Sequence, residues 1–243
     1  MMSEQSKFIA GKVLSGRVYP EFFPFASSDT VLNIGSGYGP QAIAYGGHFK
    51  QMVGVDITLQ RLQHSRILSQ TETMGNYIPI MGNVEQLPFP EAYFDKAIAI
   101  DIIEHVQSPK AMCGEIRRIL KERGRVLITF PTMHDRYTEA ISWISRNILR
   151  RKSKGTFHDA TTEWHPDHHN QEFRIDEWLA LVEDCGFRAI SSRATTLFPP
   201  LHLYGVPRFW FSNEFIHRID SNLSKSAFLK NYGQGLMVIF EAV

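Results

Sequence analysis

Short apolar runs alternate with helical stretches from residue 30 onward, and few folds accommodate such an alternation. The first run, Thr30–Ile34, ends at a glycine-rich turn, and Pro40 then suits a first helical position. The pattern predicts strands at 30–34, 51–56, 78–81, 96–100 and 125–130, and helices at 40–48, 59–73 and 109–120, the last closed by Gly124. A later helix within 173–187 precedes strands at 188–195 and 235–243. Elements in this order form βαβ units, so we predict an α/β fold with a doubly wound, mostly parallel seven-stranded sheet and helices on both faces.

The length of the chain, 243 residues, suits one complete domain of this kind with modest additions. We therefore predict a single domain over residues 1–243. Its core covers about 28–131 and 165–196 together with 235–243, and two insertions occupy about 132–165 and 197–232.

The composition is that of a water-soluble globular protein, with 43% hydrophobic and 21% charged residues. A net charge of +1 gives no strong nucleic-acid signal. Residues 1–16 have no long apolar core, so we expect neither a signal peptide nor a transmembrane helix, and a cytoplasmic location. The two cysteines, Cys113 and Cys185, fall in predicted helices, and we expect two buried free thiols in a reducing compartment.

The turn after the first strand carries three glycines, Gly35, Gly37 and Gly39. Such a turn lets the backbone approach a ligand and directs helix N–H groups at it. The second strand ends at Asp56, whose carboxylate is placed to accept hydrogen bonds from both hydroxyls of a ribose. Pro40 stands where the dinucleotide fingerprint has its third glycine, so the sequence favours an adenosine-containing ligand other than a dinucleotide.

Further segments follow the glycine turn in a fixed order: GNVEQLPFP at 82–90, FDKAIAIDIIEHV at 94–106 and EIRRILKERGRVLITFP at 115–131. Together with VLNIGSGYG at 31–39, they resemble class I S-adenosylmethionine-dependent methyltransferases, particularly the small-molecule group that includes ubiquinone- and menaquinone-pathway enzymes. The resemblance is close over about 30–131 and loose over 165–187. It implies that S-adenosylmethionine is held by residues of these motifs, namely Asn33, Gly35, Ser36, Gly37, Tyr38, Asp56, Ile57, Asn83, Val84 and Asp101.

Two of these positions depart from the family pattern, because Asn33 and Asn83 stand where the family usually has acids. The side-chain oxygen of Asn83 can still accept a hydrogen bond from the adenine amino group. The lost charge at Asn33 is expected to weaken cofactor binding. A catalytically degenerate cofactor-binding protein therefore stays an alternative to an enzyme.

The candidate catalytic residues are Glu104 and His105 after the fourth strand and His168 in the later segment HPDHH. Methyl transfer requires mainly alignment, and a base is needed only if the nucleophile must lose a proton, a role that His105 suits. Alternatively, Glu104 and His105 only brace their turn.

A divalent metal is a further hypothesis, with Asp101, Glu104, His105 and His168 as candidate ligands for Mg²⁺, Mn²⁺ or Zn²⁺. The arrangement is similar to the metal site of small-RNA 2′-O-methyltransferases and to that proposed for ubiquinone O-methyltransferases. Against it, loop histidines are more often solvated.

The insertions bear on the acceptor. A predicted helix over Glu139–Arg151, with a basic tail at 150–154, is either a lid, a helix at a membrane surface, or a helix packed over the sheet edge. The aromatic residues of 198–215 line an apolar pocket or a dimer contact, or form a satellite core. We thus expect methyl transfer to a small-molecule or lipid-linked acceptor, at oxygen, with peripheral membrane contact left open. An RNA methyltransferase is the alternative that the basic tail and the metal hypothesis favour.

Overall fold

A computed structural model describes residues 18–71, 74–131, 143, 170–171, 173–195, 197, 214–226, 229, 233 and 235–243. Its helices are α1 (Val18–Phe22), α2 (Pro40–Tyr45), α3 (Leu59–Thr71), α4 (Pro109–Ile119), α5 (Ile175–Asp184) and α6 (Glu214–Ser224). Its strands are β1 (Thr30–Ile34), β2 (Gln51–Asp56), β3 (Tyr77–Met81), β4 (Phe94–Ala99), β5 (Leu120–Pro131), β6 (Phe187–Ala194) and β7 (Gly235–Ala242). The predicted alternation is therefore present, with most boundaries within two or three residues.

The seven strands of the described chain form one sheet in the order β3-β2-β1-β4-β5-β7-β6. β1 to β5 pair in parallel, whereas β7 runs antiparallel between β5 and β6. This confirms the doubly wound, mostly parallel sheet. The chain extends from β1 through β2 to β3 on one side and from β4 to β5 on the other. The order reverses between β1 and β4, which is where sheets of this class bind ligands at the carboxyl ends of their strands.

Apolar side chains cover both faces of the sheet. On one face α4 and α5 pack on alternate strand residues such as Leu32 and Val126, with the fully buried Trp178 of α5 among them. On the other face, α1 and α2 contribute Tyr19 and Tyr45 to a second cluster. Each large side chain buried in this way contributes about 1.5–3 kcal/mol, so the sheet is held from both sides.

The α4 helix begins where its sequence predicts, because the Ser108 side chain accepts a hydrogen bond from the backbone N–H of Ala111 (3.2 Å) and Pro109 opens the helix. Its predicted end at residue 120 is within one residue of the observed end, but Gly124 does not close the helix. The helix stops at Ile119, and β5 starts at Leu120 with Gly124 buried inside it. The intervening residues KER are good helix formers, but they lie between Leu120 and Arg125, which pair with β4, and Arg123 has a left-handed backbone with φ at 57°.

Two helices lie in segments for which the sequence analysis gives no helix bounds. The α1 helix occupies part of the first thirty residues, and α6 lies within the second predicted insertion. Ser221 and Ser224 of α6 accept hydrogen bonds from the buried guanidinium of Arg193 on β6, and this contact joins α6 to the sheet. In the first insertion only Trp143 is described; it is helical and exposed, within the predicted helix Glu139–Arg151.

The prediction of two buried free thiols within helices is only partly confirmed. Both thiols are free, and Cys113 is buried in α4. Cys185, however, follows the last residue of α5 and is only half-buried. Among the residues that the structure describes, no helix is long and apolar enough to cross a membrane.

Candidate active site

The glycine turn connects β1 to α2 and has a backbone that only glycine adopts readily. Gly35, Gly37 and Gly39 have φ angles of 64°, 52° and 78°, in the left-handed region. A Cβ atom on Gly35 would lie 2.7 Å from the side chain of Ile102, whereas one on Gly37 would meet nothing within 4 Å. The turn is thus packed tightly at Gly35 and open at Gly37, where a ligand has access to the backbone.

Asp56, the last residue of β2, ties this turn to the neighbouring strand. One carboxylate oxygen accepts a hydrogen bond from the backbone N–H of Gly37 (2.9 Å), and the other accepts one from that of Thr58 (2.8 Å). The residue is 6% exposed. Each carboxylate oxygen has a second lone pair, so the pair of oxygens can still accept two hydroxyl hydrogens. The carboxylate is therefore preorganised as a double acceptor beside the turn.

Apolar and polar groups beside Asp56 provide a surface suited to a flat ring. Ile57 follows β2, and Met81 is the last residue of the neighbouring β3. Their side chains are large and apolar, yet they are 51% and 63% exposed. Val84 is buried, and Asn83 is exposed with its side-chain oxygen accepting the backbone N–H of Glu85 (2.9 Å). The amide nitrogen of Asn83 and the second lone pair of its oxygen are the polar groups that a base edge could meet.

The loop that carries Asn83 is fastened to α4 by an ion pair that the sequence did not single out. Glu115 accepts the backbone N–H of Leu87 (2.7 Å), and Arg118 donates to the carbonyl oxygens of Leu87 (3.0 Å) and Phe89 (2.8 Å). The hydrogen bond from Arg118 to Glu115 holds the pKa of that carboxyl below its usual value. Glu115 and Arg118 thus act as a clamp that fixes the loop at residues 82–90. Its residues lie more than 25 positions from the loop in sequence, so local patterns give no sign of it.

Asn33 and Ser36 lie directly beneath the glycine turn. Asn33 is fully buried; its amide nitrogen donates to the side chain of Gln41 (3.5 Å), and its oxygen has no hydrogen-bond partner among the described residues. The Ser36 hydroxyl is likewise buried and unpartnered within that part of the chain. Tyr38 is at the surface of the turn, where its ring contacts the edge of His64 with centroids 5.8 Å apart. The turn therefore has polar groups beneath it that a charged ligand end can engage.

The end of β4 is fixed by a contact with β5 that the sequence missed. Asp101 has a left-handed backbone, with φ at 51°. Its N–H donates to the hydroxyl of Thr129 (2.7 Å), and that hydroxyl donates to the Asp101 carboxylate (3.1 Å). Burial, and to a smaller degree the charge of Asp101, raises the pKa of Tyr19 on α1 well above its usual value. The N-terminal helix therefore brings a protonated phenol close to this end of the sheet.

Glu104 and His105 occupy the turn that follows. Glu104 is 4% exposed and His105 half-buried. The carbonyl oxygen of Glu104 accepts the N–H groups of Asn170 (2.7 Å) and Gln171 (3.2 Å), and that of His105 accepts the side-chain amide of Asn170 (2.7 Å). The backbone of this turn thus anchors the segment that leads into α5. A catalytic role for either side chain stays a prediction.

His168 lies outside the described residues, as does the rest of the histidine cluster at 165–169. Within the described chain, no group of three or more His, Cys, Asp or Glu side chains is arranged to hold a metal ion. Asp101, Glu104 and His105 therefore form no metal site by themselves.

The groups at the ends of β1, β2 and β3 fit S-adenosylmethionine. A buried double acceptor at Asp56 suits the ribose hydroxyls, and the exposed apolar side chains of Ile57 and Met81 suit the faces of adenine. The open backbone at Gly37 leaves room for the remainder of the molecule. Each requirement is met by a residue that the sequence motifs predicted, except Met81.

Comparisons with known proteins agree with this geometry. Residues 32–128 match the family model described as a methyltransferase domain. The chain is 31% identical over 98 residues to YcgJ of Bacillus subtilis, an uncharacterised methyltransferase, covering 40% of this chain and 39% of YcgJ. It is 24% identical over 167 residues to a demethylmenaquinone methyltransferase of Tropheryma whipplei, covering 68% and 69% of the two chains. In a second relative, 32% identical, the matched segment likewise spans only 44% of the relative's length.

The crystal structure of YcgJ has the same fold. It superposes with a TM-score of 0.61 over 94% of this chain and 97% of YcgJ, at 19% identity. At that identity the likeness concerns the fold alone. It supports the seven-stranded sheet over the whole core, beyond the segment that the family model matches.

Proposed function

We propose that the chain is a class I S-adenosylmethionine-dependent methyltransferase that transfers a methyl group to an oxygen of a small-molecule or lipid-linked acceptor. The observation that carries the proposal is the buried Asp56 carboxylate, held by the backbone N–H groups of Gly37 and Thr58 beside an open glycine turn. A carboxylate oriented in this way keeps a lone pair on each oxygen that the hydroxyls of a ligand can use.

When bound, S-adenosylmethionine supplies a methyl group on a sulfonium, which is a good leaving group, so the protein mainly aligns the reactants and excludes water. Asp56 would bind the ribose hydroxyls, and Asn83 and Ile57 the adenine. The turn at Gly35–Gly39 would lie against the amino-acid end, above the buried side chains of Asn33 and Ser36.

The acceptor would lie beyond the end of β4. We assign His105 as the group that takes the proton from an acceptor hydroxyl, because an imidazole titrates near neutral pH and is half-buried in this turn. The hydrogen bonds of Asn170 to Glu104 and His105 would hold that turn in place.

Two observations support a small or lipid-linked acceptor. A relative that matches 68% of the chain is named for demethylmenaquinone, a small-molecule substrate. The net charge of +1 also offers little attraction for a polyanion such as RNA. The aromatic residues of 198–211, predicted to line an apolar pocket or a dimer contact or to form a satellite core, lie outside the described residues, and Phe215 lies in α6.

The test is transfer of a radiolabelled methyl group from S-adenosylmethionine to separate pools of lipids, polar metabolites and total RNA. We expect label in the lipid or metabolite pool, at a position that nuclear magnetic resonance identifies as an O-methyl group.

Asp56→Ala should abolish transfer by loss of cofactor binding. His105→Gln should lower the rate more than tenfold while cofactor binding is retained. Label confined to RNA would contradict the acceptor class, and binding without transfer to any pool would indicate a degenerate, cofactor-binding protein.

A further inference from the structure

The two cysteines of the chain meet at the junction of α4 and α5, although 71 residues separate them in sequence. Cys113 lies in α4, and Cys185 follows the last residue of α5. The Cys185 sulfur is 3.8 Å from the carbonyl oxygen of Lys110, one turn before Cys113 on the same helix. Cys185 also packs against the buried cluster that contains Cys113. The two cysteines are therefore neighbours across the packed junction of α4 and α5.

The two thiols differ in surroundings. Cys113 is fully buried among apolar side chains that include Ile116 and Val182, whereas Cys185 is half-buried and accessible. The hydrogen bond with Cys185, together with burial, raises the pKa of Cys113. The same hydrogen bond and the positive charge of Lys110 lower the pKa of Cys185 to about 7, against the opposing effects of burial and of the Asp184 charge. One accessible thiolate thus lies beside one protected thiol, as thiol–disulfide exchange requires.

We propose that Cys113 and Cys185 form a reversible dithiol–disulfide site whose oxidant is a low-molecular-weight disulfide such as oxidised glutathione. The Cys185 thiolate attacks one sulfur of the oxidant, and one glutathione thiolate leaves. The Cys113 thiol then loses its proton to that thiolate and attacks the Cys185 sulfur, and the second glutathione leaves. Two protein thiols are oxidised to one disulfide, and one glutathione disulfide is reduced to two glutathione molecules.

The disulfide would join α4 to the end of α5. The segment before α5 is already held, because Asn170 and Gln171 donate hydrogen bonds to the carbonyl oxygens of the turn at 104–107. Oxidation would also close a long loop of chain, which removes conformations from the unfolded state. We therefore expect the oxidised protein to melt roughly 5–10 °C above the reduced protein.

Incubation of the full chain in glutathione buffers of increasing oxidised fraction, followed by intact-mass measurement, tests the site. The wild type should lose about 2 Da, the mass of two hydrogens, without retaining glutathione. Cys113→Ser should accumulate a single glutathione adduct on Cys185, since the resolving thiol is absent. Cys185→Ser should stay unmodified because Cys113 is buried. Retained glutathione on the wild type, or two free thiols in a fully oxidised buffer, would overturn the proposal.

A second measurement separates a reactive pair from two cysteines that merely pack together. In the wild type the alkylation rate of Cys185 should rise with pH to a midpoint near 7. In Cys113→Ala, which removes the hydrogen-bond donor, the midpoint should rise toward the ordinary thiol value of about 8.5. An unchanged midpoint in Cys113→Ala would contradict the interaction on which the site depends.

Discussion

Gly35 and Gly37 share one turn and one backbone region but have different neighbours. A Cβ on Gly35 would overlap Ile102 at 2.7 Å, and one on Gly37 would point into open space. Their motif predicts both as cofactor-binding glycines and cannot tell them apart. The difference depends on Ile102, which reaches the turn only after β4 has paired with β1.

Alanine at these two positions should therefore have unequal effects. Gly35→Ala combines backbone strain with overlap at Ile102 and should lower the free energy of unfolding by roughly 2–4 kcal/mol. Gly37→Ala carries only the strain and should lower it by about 1–2 kcal/mol. Urea unfolding of both variants measures the difference. Equal losses would show that Ile102 does not press on the turn.

The candidate residues themselves were predictable to different degrees. Asp56 and the glycines were found because motif spacing encodes them, and the structure joins them by a hydrogen bond. Thr129 was not found, because its hydroxyl meets Asp101 only when β4 and β5 lie side by side. A sequence pattern records neighbours along the chain, whereas this contact is made across the sheet.

At the scale of elements, the end of β4 depends on that threonine. Thr129→Val keeps the shape of the side chain but removes the acceptor for the Asp101 N–H. The variant should lose about 1–2 kcal/mol of unfolding free energy, and its affinity for S-adenosylhomocysteine should fall a few-fold because Asp101 is no longer held. Thr129→Ser retains the hydroxyl and is the control. A valine variant that binds as tightly as the serine variant would contradict this role.

The clamp between α4 and the loop at 82–90 predicts a pH effect. Because Arg118 lowers the pKa of Glu115 in the folded protein, Glu115 stabilises the fold above its unfolded pKa of about 4.3, and this contribution disappears as the pH falls through the folded value. Glu115→Gln should be less stable than the wild type at pH 7 by roughly 0.5–1 kcal/mol. The two stability curves should converge between about pH 5 and pH 3.

Chemical unfolding at a series of pH values measures these curves, with Glu122→Gln as the control. Glu122 is an exposed residue of β5 that lies outside the clamp. A constant gap between the wild type and Glu115→Gln at every pH would contradict the prediction.

The elements also show where sequence patterns fail. β2 was predicted over its full range, because buried parallel strands are continuous apolar runs. The start of β5 was missed, since the charged residues at 121–123 resemble a helix end, and they lie between Leu120 and Arg125, the residues that pair with β4. The approach of Cys113 to Cys185 was missed for the same reason, as it depends on the packing of α4 against α5.

For the whole molecule, the strand order brings the ends of β1, β2 and β4 to one edge. The glycine turn, Asp56 and Asp101 follow these strands, so their approach at one edge could be predicted from sequence, whereas their binding of the cofactor stays a prediction. The acceptor side of the site could not be predicted, because Glu104 and His105 follow β4 whether they act on an acceptor or only brace their turn. His168, the most distant candidate, is outside the described residues.

The central claim is that Asp56 and the glycine turn bind the methyl donor. Calorimetric titration with S-adenosylhomocysteine, using wild type, Asp56→Ala and Asp95→Ala, tests it most directly. Asp95 is a matched control, because it also accepts a backbone N–H, that of Thr30, but at the opposite edge of the sheet. We predict micromolar binding to the wild type and to Asp95→Ala, and a loss of roughly 10- to 100-fold in Asp56→Ala. No binding to the wild type, or equal binding to Asp56→Ala, would contradict the account.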